Sequence, residues 1–194
     1  MARPREFDEE RVLEAVMERF WQTGYEGTSA QDLVTATGLG RGSLYAAFTS
    51  KDGLFEQALI RYRTRTQGHV EKLRAQPSAT QALRELMIDV LDADRPSPPA
   101  RGCLATNSAI EMAGRNPRIA DLVRRNFAIL RQGIEEAIIR GQNAGEFARE
   151  ADATTLALFV FNTIQGLHVM AKTIGPDERG MLVGVVDHTL SALR

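Results

Sequence analysis

An all-α fold is what this 194-residue sequence predicts, and three observations predict it. Apolar residues recur at i, i+3 and i+4 along nearly the whole chain, which gives a helix one buried face. Glycine and proline punctuate these runs where helices stop, and Ser, Asp or Asn stand where they start. No stretch alternates apolar and polar residues as a half-buried strand would, and there is no internal repeat or low-complexity tract. Hydrophobic residues make up 43% and charged residues 25%, the balance of an ordinary globular protein with length for one or two domains.

Ala2 to Glu6 reads as a basic arm in which Pro4 disfavours helix. The first helix begins near Asp8, carries Val12, Ala15, Val16, Phe20 and Trp21 on one face, and ends at Gly24. The stretch Thr28 to Lys51 follows. Ser29 can cap a helix whose third residue is Asp32, forming a capping box. Ala30, Leu33, Val34 and Ala36 are that helix's apolar face, and Gly38 ends it through the left-handed conformation glycine adopts at little cost. Leu39 is apolar inside the turn and so tucked between two helices. Gly40 to Ser43 opens the next helix, whose Leu44, Ala47 and Phe48 point at a small core. Two short helices around a glycine turn are the pattern of a helix-turn-helix, whose second helix enters the DNA major groove.

The longer run is more specific than the turn. Thr28-Ser29, Gly38, Gly42-Ser43-Leu44-Tyr45, Phe48 and Ser50-Lys51-Asp52-Gly53-Leu54-Phe55 closely resemble the DNA-binding domain of the TetR family of bacterial repressors, over the N-terminal third of the chain. The resemblance implies DNA contacts from Thr28, Ser29, Arg41, Gly42, Ser43, Tyr45, Ala46 and Lys51. Tyr45 and Lys51 would mainly hold phosphates, Arg41, Gly42, Ser43 and Ala46 would lie closest to base edges, and Leu44 and Phe48 would be core. The chain departs from the family at Ala47, where a histidine or tyrosine often touches the backbone. It also implies a homodimer on a near-palindromic operator, released by a small-molecule effector.

From Ser50 a long helix is expected to about Arg74, and Lys51 in its first turn suits a phosphate contact. Gln76-Pro77-Ser78 breaks it. Helices are then expected over 79–91, over 102–113 after a proline-rich loop at 92–101, from Arg118 to about Ala144, from Thr154 to Thr173 behind Asp152, and over 177–193. The domains expected are 1–50 for DNA binding, 51–75 as a linking helix, and 76–194 for ligand binding and dimerisation. The last two helices are apolar most of the way round, which requires burial on several sides. One reading pairs them with a second copy about a two-fold axis through Val160, Ile164, Leu167, Val183, Val186 and Leu190. The other makes them core helices of a monomer. In TetR-like proteins the last two helices usually form a four-helix dimer interface.

Net charge is −1 with pI about 6.3, so DNA binding would rest on a local basic patch rather than a global one. Arg3, Arg5, Arg41, Lys51, Arg61, Arg63 and Arg65 are its candidates, opposed by the acids of the first helix. The N-terminus lacks a signal-peptide core, no apolar run reads as a membrane span, and a cytoplasmic protein is expected. His69, His168 and His188 are scattered, with no metal-binding or nucleophile motif and no phosphate-cradling glycine loop after a strand, so no catalytic role, metal or cofactor is expected. Asn162, Gln165 and His168 could hydrogen-bond one another or touch a ligand, and Phe127 lies on the stripe of the long helix. The single cysteine, Cys103, excludes an internal disulfide. Gly102-Cys103-Leu104 with Asn107 and Glu111 resembles a TetR subgroup in which some members sense electrophiles through cysteine; packing beside Leu104 is the alternative. For the whole chain, a ligand-binding helical protein without specific DNA binding stands as the second function.

Overall fold

A computed structural model of the chain describes residues 7–93, 101–175 and 178–194. Among the described residues all regular structure is helical: α1 (Glu9–Thr23), α2 (Ala30–Thr37), α3 (Arg41–Phe48), α4 (Lys51–Ala75), α5 (Ala79–Asp92), α6 (Leu104–Met112), α7 (Pro117–Ala144), α8 (Ala153–Met170) and α9 (Arg179–Ser191). The boundaries follow local chemistry. Asp8, Ser29, Ser78 and Asp152 each accept a backbone N–H of the first turn they precede, satisfying donors that an α-helix leaves orphaned at its start. Gly24 and Gly38 close α1 and α2, with N–H groups donated to the Phe20 and Val34 carbonyls. The proline-rich loop and the expected arm lie largely outside the described residues.

The chain forms two compact units, Met1–Thr64 with Leu104–Arg124, and Arg65–Cys103 with Arg125–Arg194. The first unit has its own core, in which Val16, Met17, Phe20, Leu33, Leu44, Leu54 and Phe55 are all but inaccessible. Phe20 meets Phe55 edge-on at 4.9 Å, and Trp21 meets Tyr62 in the same way at 5.0 Å. Each such side chain contributes about 1.5–3 kcal/mol through burial, and Phe20→Ala would cost about 3–5 kcal/mol. Helix α6 packs within this unit, although 40 residues separate Leu104 from Thr64 in the sequence.

The second unit is built on Leu83, Met87, Ile134, Ile138, Val160, Ile164, Val186 and Leu190 from α5, α7, α8 and α9. Five of the six side chains expected at a dimer interface are therefore spent in the chain's own core: Val160, Ile164, Leu167, Val186 and Leu190 are buried, and only Val183 is partly open. The physical reason is that α8 and α9 are apolar on two faces, and one of them fills the core of the second unit. The other face is open: Leu158, Phe159, Val169, Met170, Met181 and Val185 are all exposed. A second correction concerns α8, which at 18 residues and mean hydropathy 1.3 is long and apolar enough to span a membrane. Its Thr, Asn and Gly residues break the run to the eye without lowering the average below that level. Core helices of soluble proteins pass the same test.

Candidate nucleic-acid interface

Two short helices carry the candidate surface, and the order starts at α2. The Ser29 hydroxyl accepts the Asp32 N–H at 3.1 Å, while the Asp32 carboxylate accepts the Ser29 N–H at 2.8 Å. Arg19 of α1 donates to the same carboxylate at 2.8 Å. The Ser29 hydrogen bonds, with Arg19 beside them, hold the Asp32 carboxyl below the usual carboxylate range. After Gly38, at φ 70°, the chain turns past half-buried Leu39 into α3. Gly40 precedes α3 without any side-chain cap, so the first-turn N–H groups of α3 have no capping side chain.

Helix α3 has two faces. Leu44 and Phe48 are buried in the unit core, while Arg41, Gly42, Ser43 and Ala46 are exposed. Tyr45 is half-buried, with the Arg41 guanidinium 5.9 Å from its ring centre. A β-carbon added at Gly40 or Gly42 would meet nothing within 4 Å, so this edge is open to a large partner. The corner into α4 turns at Thr49, which sits at φ 65°, an uncommon conformation for a β-branched residue. The Ser50 hydroxyl then accepts the Gly53 N–H at 3.0 Å.

Lys51 opens α4, where the helix dipole already favours an anion. Its Nζ lies 4.3 Å from the centre of the Tyr25 ring, and the Tyr25 hydroxyl donates to Asp52. Burial, and then the Asp52 carboxylate, push the Tyr25 phenol well above its ordinary pKa, so it stays a donor. On α1, the acids that offset the basic residues in the sequence are partly committed. Arg61 binds Glu14 at 2.5 Å and also Glu10, which draws those carboxylates onto the α1–α4 contact.

The expected site residues divide accordingly. Arg41, Gly42, Ser43, Tyr45, Ala46 and Lys51 share the α3 helix and the first turn of α4. Thr28 does not join them: it is fully buried, its hydroxyl donating to the Gly24 carbonyl at 2.6 Å, and Ser29 is occupied as a cap. Among the expected ligand residues, Glu111 accepts the backbone N–H groups of Tyr25 and Glu26. Phe127 packs edge-on against Phe161 at 5.3 Å, Cys103 is buried, and Asn162 is exposed on the outer face of α8. A concavity of about 410 Å³ opens instead beside His69, Lys72, Leu73, Gln76, Leu86 and Asp89. Burial pushes the His69 imidazole below its ordinary pKa, Lys72 adding to this and Asp89 opposing it. Tyr25 carries no motif of its own in the sequence, and its one signal is an aromatic residue directly after the glycine that ends α1.

A capped first helix, a glycine turn and a second helix with one exposed polar edge define a helix-turn-helix transcriptional regulator. The chain belongs to the TetR family: residues 12–58 match the family of bacterial regulatory proteins named for TetR, and residues 79–180 match the tetracyclin repressor-like C-terminal domain. Among curated relatives, the HTH-type transcriptional repressor ComR of Escherichia coli is 31% identical over 88% of this chain and 82% of its own length. The HTH-type regulator YezE of Bacillus subtilis is 32% identical over the full length of both chains. Among solved structures, a cysteine-substituted mutant of the TetR family regulator CifR in complex with a 26-base-pair operator superposes with a TM-score of 0.85 at 33% identity, covering both chains completely. These relatives are transcriptional regulators, and the chain shares their family.

Proposed function

We propose that this protein is a cytoplasmic, homodimeric repressor that inserts α3 into the major groove of a near-palindromic operator and leaves it when a small molecule binds. The observation that carries this is the exposed edge Arg41, Gly42, Ser43 and Ala46 on α3, followed directly by Lys51 at the start of α4. Arg41 is the candidate for reading bases, since a guanidinium pairs with a guanine edge, and Lys51 and Tyr45 for holding phosphates. CifR bound to its operator, and ComR's designation as a repressor, support the direction of the effect. A second copy is the occupant proposed for the open α8–α9 face. Leu158, Phe159, Val169, Met170, Met181 and Val185 would be covered by their symmetry mates, which also accounts for a helix of membrane-span hydropathy in a water-soluble regulator. The proposed domains remain DNA binding over 1–50, a linking helix over 51–75, and effector binding with dimerisation over 76–194. Effector release follows from tighter binding to a conformer whose recognition helices are wrongly spaced. For Cys103, burial favours packing beside Leu104 over electrophile sensing.

Binding to the DNA upstream of the protein's own gene, followed by fluorescence anisotropy against salt, tests the reading. Lys51→Ala should weaken binding on every sequence alike. It should also reduce the slope of log K against log salt by about 0.9 per phosphate lost, hence about 1.8 for a dimer. Arg41→Ala should change preference at particular base pairs, by about 1–3 kcal/mol at each. Absence of any specific complex would leave a ligand-binding protein whose helix-turn-helix does not read DNA.

A further inference from the structure

The turn between α1 and α2 is held by a side chain from far along the chain. Gly24 ends α1 at φ 74°, and the two residues after it turn their N–H groups away from the helix. The Glu111 carboxylate of α6 accepts both, Tyr25 N–H at 2.8 Å and Glu26 N–H at 2.7 Å. Such charge-assisted bonds are about twice as strong as neutral ones. A β-carbon at position 24 would come within 2.9 Å of a Glu111 carboxylate oxygen, so the carboxylate occupies the space that a side chain would need. Arg115, just beyond α6, reaches Glu26 at 3.6 Å. All of these groups lie in the first compact unit.

The contact does not end at the backbone. The residue whose N–H it fixes, Tyr25, carries the ring under the Lys51 ammonium at 4.3 Å and the hydroxyl that donates to Asp52. Tyr25 is itself stacked on Phe20 at 6.2 Å and meets Phe55 at 5.1 Å, so the ring is seated on the unit's core beside the turn that bears it. The line runs unbroken from α6 through the turn and the ring to the first residues of α4.

We propose that Glu111 is a positioning residue for operator binding: by clamping the Tyr25–Glu26 backbone from α6, it fixes the ring that aims Lys51 at a DNA phosphate. The inference rests on the reading above that Lys51 meets phosphate. It also deepens that reading, because α6 then becomes a control element for the interface. Hydrogen bonds of this length are lost when the groups part by about 1 Å, so a small shift of α6 is enough to release the turn.

A double-mutant cycle on the full-length protein tests this, with operator affinity and salt slope as readouts. Glu111→Gln keeps the shape but turns one acceptor into a donor facing an N–H. It should weaken binding about tenfold and lower the salt slope toward the Lys51→Ala value. In a Lys51→Ala background the same substitution should change the affinity less than about twofold. Tyr25→Phe, which keeps the ring packing and loses only the Asp52 bond, should move the slope in the same direction by less. Equal losses from Glu111→Gln in both backgrounds would overturn the proposal, since Glu111 would then act by another route. So would a wild-type slope in both Glu111→Gln and Tyr25→Phe. If Lys51→Ala alone leaves affinity and slope unchanged, the phosphate reading fails first and takes this inference with it.

Discussion

Replacing Glu146 by glutamine should remove stability at neutral pH that the wild type itself loses in acid. Glu146, in the α7–α8 connection, caps a helix to which it does not belong. It accepts the Ser78 hydroxyl at 2.8 Å, the Ala79 N–H at 3.0 Å and the Thr80 N–H at 2.8 Å at the start of α5. Partial burial works to raise its pKa, but the hydrogen bonds from Thr80, Ser78 and Ala79 outweigh it and lower the carboxyl from 4.5 to about 2. A group depressed in the folded state stabilises fully above its unfolded pKa, and that stability drains away as pH falls through the folded one. The window is therefore about pH 5 down to about pH 2. A displacement of that size sets a ceiling of about 3.4 kcal/mol, which solvent access to the carboxylate lowers to about 1–2 kcal/mol. Urea unfolding followed by circular dichroism, at fixed protein concentration, should show Glu146→Gln less stable by that amount at pH 7, the gap narrowing below about pH 5 and closing only near pH 2. A gap of constant size across the range, or none at pH 7, would refute the capping account.

Three further substitutions probe other links. Phe159→Asp should leave the subunit folded, because Phe159 is 43% exposed, yet sediment as a monomer at micromolar concentration; a persistent dimer would move the interface elsewhere. Val160→Asp, fully buried, should instead unfold the second unit by leaving a charge unpaired in its core. Cys103, 8% exposed, should react slowly with N-ethylmaleimide in the native protein and rapidly in urea. Fast native labelling that releases operator DNA, with Cys103→Ser unaffected, would reverse the packing assignment in favour of sensing.

Helix ends were legible in the sequence because caps are local chemistry. Ser29 with Asp32, Asp152, Gly24 and Gly38 announce their roles within a few residues, and the structure has each in that role. The inward face of α8 was not legible. Val160, Ile164 and Leu167 alternate around the helix with Leu158, Phe159 and Val169, and an apolar pattern on two faces contains no information on which one meets the subunit core. Thr28 misled for a related reason: its hydroxyl suits a phosphate equally well, and only the fold shows that the Gly24 carbonyl takes it. Glu111 read as a ligand contact because its actual partners lie 86 and 85 residues away. Nothing in a linear pattern marks such a pairing.

That α6 packs with the first 64 residues bears on how readily regulators of this build can trade reading heads. A graft that joined only the first 64 residues to another relative's remainder would carry Tyr25 and Lys51 but leave Glu111 behind. The recipient would have to offer a carboxylate at the same height above the turn, or the transplanted head would arrive without its anchor. Recombination within the family should thus favour exchanges in which the α6 segment travels along, and a designer building chimeras should move Leu104–Arg124 together with the N-terminal helices. The unit that carries the helix-turn-helix is assembled from two stretches of chain.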